Sequence, residues 1–126
     1  MASQLRGLIM NLVLLREELM PILLWLCVGH AICDFPLQGQ FLADGKNHRH
    51  PIPGFSWQIM LFTHALIHAG MVAIVTGSLF LAMLELVLHM FIDFLKCEKK
   101  FGFATDQALH YGCKVLYVIL MFFSIA

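Results

Sequence analysis

The chain has 126 residues, of which 60% are hydrophobic and only 13% are charged, and its formal net charge is zero. Soluble domains are about half apolar and a quarter charged, so this composition is typical of a protein that lies in a lipid bilayer. Because no basic stripe with interleaved aromatic residues is present, nucleic acid is excluded as a partner. The length is enough for one domain of a few spanning helices.

The N-terminal part of the chain predicts one membrane span preceded by a shorter apolar segment. Residues 4–15 are apolar but too few to cross a bilayer, so we expect an interfacial helix or an extension of the first span. A charged tripeptide at 16–18 follows without a small-residue cleavage site, which argues against a removable signal peptide. Pro21 suits the first turn of a helix, and the first span is predicted over about residues 19–35.

Three more spans are predicted after a polar loop. Residues 40–55 combine turn formers with charges and should face solvent. Apolar segments then predict spans at about 56–76, 79–95 and 105–124, the last of them capped by Thr105. The predicted fold class is all-α: an integral membrane four-helix bundle with antiparallel spans and a short N-terminal interfacial helix or extension. The whole chain forms a single transmembrane domain.

Lysine and arginine residues predict the orientation of this bundle. The loops after the first and third spans lie on one side of an antiparallel bundle and hold Lys46, Arg49, Lys96, Lys99 and Lys100. Loops rich in lysine and arginine remain in the cytoplasm. Both termini are therefore expected on the opposite side of the membrane.

Polar residues recur every four positions within the apolar segments. Glu85, His89 and Asp93 lie on one face of the third predicted span, stacked one above another. The same spacing of histidine and aspartate returns on the other three spans, as His30/Asp34, His64/His68 and Asp106/His110. Placing a titratable side chain in lipid costs free energy, so these residues need polar partners. The pairs on the other three spans can supply them.

The antiparallel order places all four pairs in the same half of the membrane, near the cytoplasmic face. One interpretation is that the polar residues only hold the helices together. The interpretation we favour is a metal site, because imidazole and carboxylate groups are the ligands of zinc, manganese and iron. The predicted ligands are His30, Asp34, His64, His68, His89, Asp93, Asp106 and His110.

The number of predicted ligands indicates two divalent ions, since five histidines and three aspartates are too many for one ion. Two divalent ions bring four positive charges, which three aspartates and one bridging hydroxide cancel, and a neutral cluster suits a low-dielectric site. Some of the eight residues would then orient ligands and not bind the ions directly.

Five further polar residues are assigned roles around this cluster. Glu85 and Lys114 lie deeper, at matching depths on adjacent spans, and should form a buried ion pair; the alternative makes Glu85 a ligand or a general base. Lys46 and Lys96 lie at the mouth, where each would bind a substrate anion or extend its ammonium group to the interface. Gln38 could donate to a developing oxyanion, which makes it a candidate catalytic residue with the two mouth lysines.

The four cysteines and the two remaining histidines are given structural and not functional interpretations. No CxxC pair is present, so the cysteines are predicted to be buried free thiols, and the loop histidines to be surface residues. These residues are Cys27, Cys33, Cys97 and Cys113, with His48 and His50.

The ordered motifs resemble a family of small bacterial and phage integral membrane proteins known only as a domain of unknown function. The resemblance rests on His30-Ala-Ile-Cys-Asp34-Phe-Pro-Leu-Gln38, Lys46, His64, His89-Met-Phe-Ile-Asp93-Phe-Leu-Lys96 and Asp106-Gln107-Ala-Leu-His110. It implies a bacterial or phage source, and hence a multi-pass protein of the bacterial inner membrane with periplasmic termini. A looser similarity of residue types links the chain to membrane-bound metal-dependent hydrolases.

The leading functional prediction is a membrane-embedded metal-dependent hydrolase that acts on a lipid or on a lipid-linked phosphoester or ester. One alternative is a non-enzymatic protein that binds metal or transports ions. Another is a phage protein that modifies the host membrane by binding a host membrane protein. A redox role with two iron ions stays open, whereas the aspartates fit a haem site poorly. Homo-oligomers are compatible with each of these.

Overall fold

The computed structural model describes residues 1–125, apart from the side chains at positions 14, 15 and 125. Five helices account for most of this part of the chain. They are α1 (Ala2–Asp34), α2 (Gly39–Gly45), α3 (Trp57–Thr76), α4 (Leu79–Cys97) and α5 (Phe103–Ile125).

Serine side chains begin two of the long helices. The hydroxyl group of Ser56 accepts a hydrogen bond from the backbone N–H of Ile59, and that of Ser78 accepts one from Leu81, so each satisfies an N–H that has no partner within its helix. Gly77 ends α3 with φ of 67°, a backbone conformation that favours glycine. The predicted cap at Thr105 is wrong: α5 begins two residues earlier, at Phe103, which places Thr105 inside the first turn.

The first helix is longer than its predicted span. α1 runs unbroken through 33 residues, or roughly 50 Å at the usual helical rise, and contains Pro21 in its interior. Residues 4–15 are therefore the first part of this helix and not a separate one. Among the side chains of α1 that the structure describes, Leu19 is the first that is deeply buried, at 6% exposure.

The predicted polar loop is partly helical and partly buried. α2 occupies Gly39–Gly45 within it and packs against α3. Gly45 is buried, and Lys46 is only 7% exposed. The expectation of a solvent-facing loop is therefore wrong at Gly45 and Lys46, where the lysine reaches inward to a carboxylate described below, whereas the rest of residues 40–55 is exposed or half-buried.

The four long helices form an antiparallel bundle. α1 packs against α3 and α5, and α4 packs against the same two helices, so the order around the bundle follows the order in the chain. One apolar cluster contains Leu26, Val72, Leu81 and Tyr117. Leu26 precedes the polar residues of α1, whereas Val72 follows those of α3, so the two helices run in opposite directions. This reversal from helix to helix gathers all the polar pairs at the other end of the bundle.

Helix length and composition support membrane association for part of this bundle. Two of the helices described here, α3 and α5, are long and apolar enough to cross a bilayer. α4 has 19 residues but carries Glu85, Asp93 and Lys96, and α1 carries charges at 16–18. The all-α prediction is confirmed, with two candidate spans; an integral membrane bundle of four spans is not confirmed.

Candidate metal centre

The polar ends of the four long helices meet in one cluster inside the bundle. α1 contributes His30 and Asp34, and the other helices contribute one pair each. Seven of the eight predicted ligands are at most 2% exposed, and the side chain of Asp34 is 10% exposed. The structure thus brings together all eight residues: His30, Asp34, His64, His68, His89, Asp93, Asp106 and His110.

One set of possible ligand atoms, which we call the imidazole-rich group, consists of Asp34, His64, His68 and His89. Oδ1 of Asp34 lies 3.3 Å from Nε2 of His64 and 3.3 Å from Nε2 of His68. The Nε2 atoms of His64 and His89 are 3.1 Å apart. All four ligand atoms lie within 4.8 Å of one another, so one ion could contact them all.

A second set, the carboxylate-rich group, consists of Asp93, Asp106 and His110. Nε2 of His110 lies 3.3 Å from Oδ1 of Asp93 and 3.5 Å from Oδ1 of Asp106. With two carboxylates and one imidazole, this group offers harder ligands than the imidazole-rich group. The two groups share no residue and together include seven of the eight cluster members.

His30 connects the two groups. Its ring centroid is 5.1 Å from those of both His68 and His110. Its Nε2 atom lies 3.3 Å from Oε1 of Gln107 and 3.5 Å from a carboxylate oxygen of Asp34. His30 can therefore complete a ligand set or orient Asp34.

The mouth lysines are paired with carboxylates of the cluster. Nζ of Lys46 donates to Oδ2 of Asp93 at 2.6 Å and to Oε1 of Gln38 at 2.5 Å. Nζ of Lys96 donates to Oδ2 of Asp106 at 2.8 Å. These contacts place all three predicted catalytic residues next to the carboxylate-rich group, and they neutralise two of its charges.

Glu85 and Lys114 lie beyond the cluster, toward the apolar end of the bundle. Nζ of Lys114 donates to Oε1 of Glu85 at 2.6 Å, and both side chains are 1% exposed. Because an ionised carboxylate only accepts hydrogen bonds, Nδ1–H of His89 donates to Glu85 at 3.1 Å. The other ring nitrogen, Nε2 of His89, is then the candidate ligand atom within the imidazole-rich group. Glu85 can therefore orient a candidate ligand as well as neutralise Lys114, a combination that the sequence did not predict.

Two residues of this network were missed in the sequence. The amide of Gln107 donates to Asp34 at 2.7 Å and to Asp106 at 3.2 Å, and the hydroxyl of Tyr117 donates to Oε2 of Glu85 at 2.6 Å. Helical spacing contained a signal for both. Gln107 precedes His110 by three residues and Tyr117 follows Lys114 by three, so each lies on a face already assigned.

The loop between α2 and α3 is attached to the C-terminal end of α4. The ring of His48 stacks on Phe94 with centroids 4.4 Å apart, and its Nε2 atom contacts Glu98. This hydrogen bond, with Arg49 nearby, holds the pKa of the Glu98 carboxyl below its ordinary value. His48 is therefore not a plain surface residue, whereas His50 is exposed as expected. The four cysteines are free thiols, of which Cys33 is fully buried.

Fold and site together define a class of protein: a small all-α protein whose helices enclose a cluster of histidines and carboxylates that could hold metal ions. The chain belongs to DUF3307, a family described as protein of unknown function, whose family model matches residues 22–126. The matched segment includes the whole cluster. Comparison with curated proteins and with solved structures finds no match. The resemblance to an uncharacterised family is thus confirmed, while the bacterial or phage source and the likeness to hydrolases stay predictions.

Proposed function

We propose that this protein is a membrane-embedded, metal-dependent hydrolase with two divalent ions bound by the imidazole-rich and carboxylate-rich groups. The substrate class is a lipid, or a lipid-linked phosphoester or ester. The observation that carries the proposal is the spacing of the candidate ligand atoms. Ligands of a tetrahedral zinc ion, at about 2.0–2.1 Å from the metal, are separated from one another by roughly 3.3 Å. Five of the separations within the two groups lie between 3.1 and 3.5 Å, close to that value, and all the others are within 4.8 Å.

Buried polar atoms without partners also support metal binding. Five buried side-chain atoms of the described residues make no hydrogen bond, and two of them, His68 Nε2 and Asp106 Oδ1, are candidate ligand atoms. Each such atom costs about 1–3 kcal/mol unless something else satisfies it. Both atoms belong to residues of the two groups, and a divalent ion at each group would satisfy them.

The carboxylate-rich group is the better candidate for the reacting ion. A metal ion there would polarise the scissile group and lower the pKa of a water molecule. Gln38, Lys46 and Lys96 lie beside it, and their amide and ammonium groups are suited to bind an anionic substrate and to stabilise charge that develops on oxygen. The imidazole-rich group, with four protein ligands, resembles a closed site and would hold its ion for structure or for charge.

Features of the far end of the bundle favour an enzyme over an ion pathway. Leu26, Val72, Leu81 and Tyr117 pack together there, and the Glu85–Lys114 pair lies between them and the cluster. An ion leaving the cluster in that direction would have to pass both a buried salt bridge and an apolar core. The site therefore resembles a pocket with one entrance more than a route across a membrane.

The surface of the bundle supports placement in a bilayer. Large apolar side chains are exposed on the outward faces of the helices, among them Trp25, Ile74, Phe80, Val87 and Ile119. Buried charges inside and exposed apolar residues outside reverse the order of a soluble protein. We propose the bacterial inner membrane, with the basic loops in the cytoplasm and the termini in the periplasm.

Metal content is the first test. The detergent-purified chain, loaded with zinc, manganese or iron, should bind about two divalent ions per chain in elemental analysis. Asp93→Ala and His89→Ala should each lower the metal content by at least one ion. The exposed residues Asp44 and His50 offer matched controls, and Asp44→Ala and His50→Ala should leave it unchanged. A loaded wild-type chain without metal, or equal losses in the controls, would overturn the proposal.

Hydrolysis is the second test. The metal-loaded chain in mixed micelles should release phosphate or head group from lipid phosphoesters, or fatty acid from lipid esters. Lys46→Gln should reduce turnover more than it reduces metal content, because its ammonium group contacts the cluster without being a possible ligand. Full metal binding without any hydrolysis would favour the non-enzymatic alternative, which metal flux into proteoliposomes would then test.

A further inference from the structure

A surface pocket of about 270 Å³ opens beside the carboxylate-rich group. Its lining includes Gln38, Lys46, Asn47, Asp93, Lys96 and Lys99. Three ammonium groups and two amides thus surround a single carboxylate, so the lining carries net positive charge. Asp93 forms the inner end of the pocket and is 2% exposed, which makes this pocket a route from the surface to the candidate metal centre.

The ammonium groups have hydrogen-bond donors left for a ligand. Each lysine offers three N–H donors. Lys46 directs two of them to Gln38 and Asp93, and Lys96 directs one to Asp106. The remaining donors allow both lysines to bind an anion while they keep these contacts.

The backbone of Lys99 is an independent sign that its side chain has a role. Lys99 has φ of 57°, and no other non-glycine residue described here has a positive φ. It follows the end of α4, where the backbone N–H of Lys100 donates to the carbonyl of Leu95 at 3.1 Å, and glycine usually fills such a position. Strained backbone of this kind concentrates at binding sites, and here it places a third lysine on the pocket.

We propose that this pocket binds the phosphate group of a phosphomonoester, with Lys46, Lys96 and Lys99 as its cationic ligands. This assignment rests on the proposed function in that it names the substrate class of the same site. Several compact ammonium groups suit a dianion with three terminal oxygens, because each lysine binds phosphate as a point charge and the dianion balances more than one of them. The phosphate would contact the ammonium group of Lys46, which also donates to Asp93, and would therefore lie next to the carboxylate-rich group.

Calorimetric titration of the full, metal-loaded chain in detergent tests this assignment. The probes are inorganic phosphate, short-chain phosphatidic acid, and phosphatidylcholine of the same chain length. Phosphatidic acid should bind at least tenfold more tightly than phosphatidylcholine. If inorganic phosphate binds as tightly as phosphatidic acid, the pocket is a site for free phosphate; if it binds more weakly, the pocket recognises a lipid head group. Equal binding of the two lipids would overturn the assignment.

Lys99→Gly separates binding from folding. Glycine is relaxed at φ of 57°, so this variant should be at least as stable as the wild type in thermal unfolding, yet bind phosphatidic acid at least tenfold more weakly. Lys100→Gln removes the neighbouring exposed lysine, which is outside the pocket lining, and should bind normally. A Lys99→Gly variant with unchanged affinity would overturn the role of Lys99.

Metal content measured on the same samples separates the two proposals. A chain that holds its metal but shows no preference for phosphomonoesters contradicts the pocket assignment alone. A chain that binds phosphatidic acid but no metal contradicts the metal centre and supports the pocket.

Discussion

The two ends of the bundle interior are built from the same four helices but have opposite chemistry. At one end, histidines and aspartates face one another; at the other, Leu26, Val72 and Leu81 pack with the ring of Tyr117. The apolar end gains stability from area removed from water and from close packing. The polar end consists of groups that are costly to bury and must satisfy each other or a ligand. Because such groups add cost and not stability, this difference makes the cluster the candidate functional site of the protein.

Glu85, Lys114 and Tyr117 form the boundary between the two ends. The carboxylate of Glu85 receives Lys114 and Tyr117 from the apolar side and His89 from the cluster side. Changes on either side of this boundary should therefore have separable effects on stability and on metal binding.

The largest effect is expected at the boundary itself. Glu85→Gln leaves the ammonium group of Lys114 buried without its charge partner, which should cost about 3–5 kcal/mol in the free energy of unfolding. The double variant Glu85→Gln/Lys114→Met removes both charges and should be more stable than the single variant. Unfolding in detergent measures both, with the exposed Glu17→Gln as the control. The single variant Lys114→Met completes the double-mutant cycle, and additive effects in it would show that the two side chains are not coupled.

Glu85→Gln should also weaken metal binding by about 10- to 100-fold, since Glu85 orients His89. This readout distinguishes an orienting role from a purely structural one. If the variant lost stability but kept its full affinity for metal, the boundary would serve the fold alone.

The next effect is expected in the apolar end. Leu26 is 1% exposed, and Leu26→Ala should cost about 2–5 kcal/mol through lost burial and a new cavity. Metal content should be unchanged in the folded variant, because Leu26 belongs to the apolar cluster only. Leu24 lies two residues away on the same helix, is 60% exposed, and offers Leu24→Ala as a matched control. A loss of metal from folded Leu26→Ala protein would contradict the separation of the two ends.

The smallest effect is expected for the hydroxyl group that ties the two ends together. Tyr117→Phe removes the hydrogen bond to Glu85 and keeps the ring in the apolar cluster, which should cost about 1.5–3 kcal/mol. Metal affinity should fall less than in Glu85→Gln, because Lys114 and His89 still hold the carboxylate. Tyr111→Phe changes the chain's other tyrosine and serves as the control. If Tyr117→Phe were as unstable as Glu85→Gln, the hydroxyl group and not the charge pair would account for the stability at this boundary.

The four long helices and the residues that meet between them could be predicted from the amino-acid sequence. Apolar segments of about twenty residues specify helices, and polar residues four positions apart specify a face, because both properties are local and periodic. Alternating direction from helix to helix then brings Asp34, His64, Asp93 and His110 to the same end. The composition also predicted membrane spans, of which the structure supports two, α3 and α5.

The contacts between individual polar atoms could not be predicted in this way and depend on how the helices pack. The burial of Lys46 depends on α2 packing against α3. The contacts of Gln107 and Tyr117 depend on which face of α5 packs against α1 and α4. The sets of residues that could share one ion likewise follow from distances of a few ångströms across the bundle, including a third set of His30, His89 and His110 that overlaps the two groups. Periodicity fixes the face on which a side chain lies, but partners on other helices are set by packing, which no local pattern in one helix specifies.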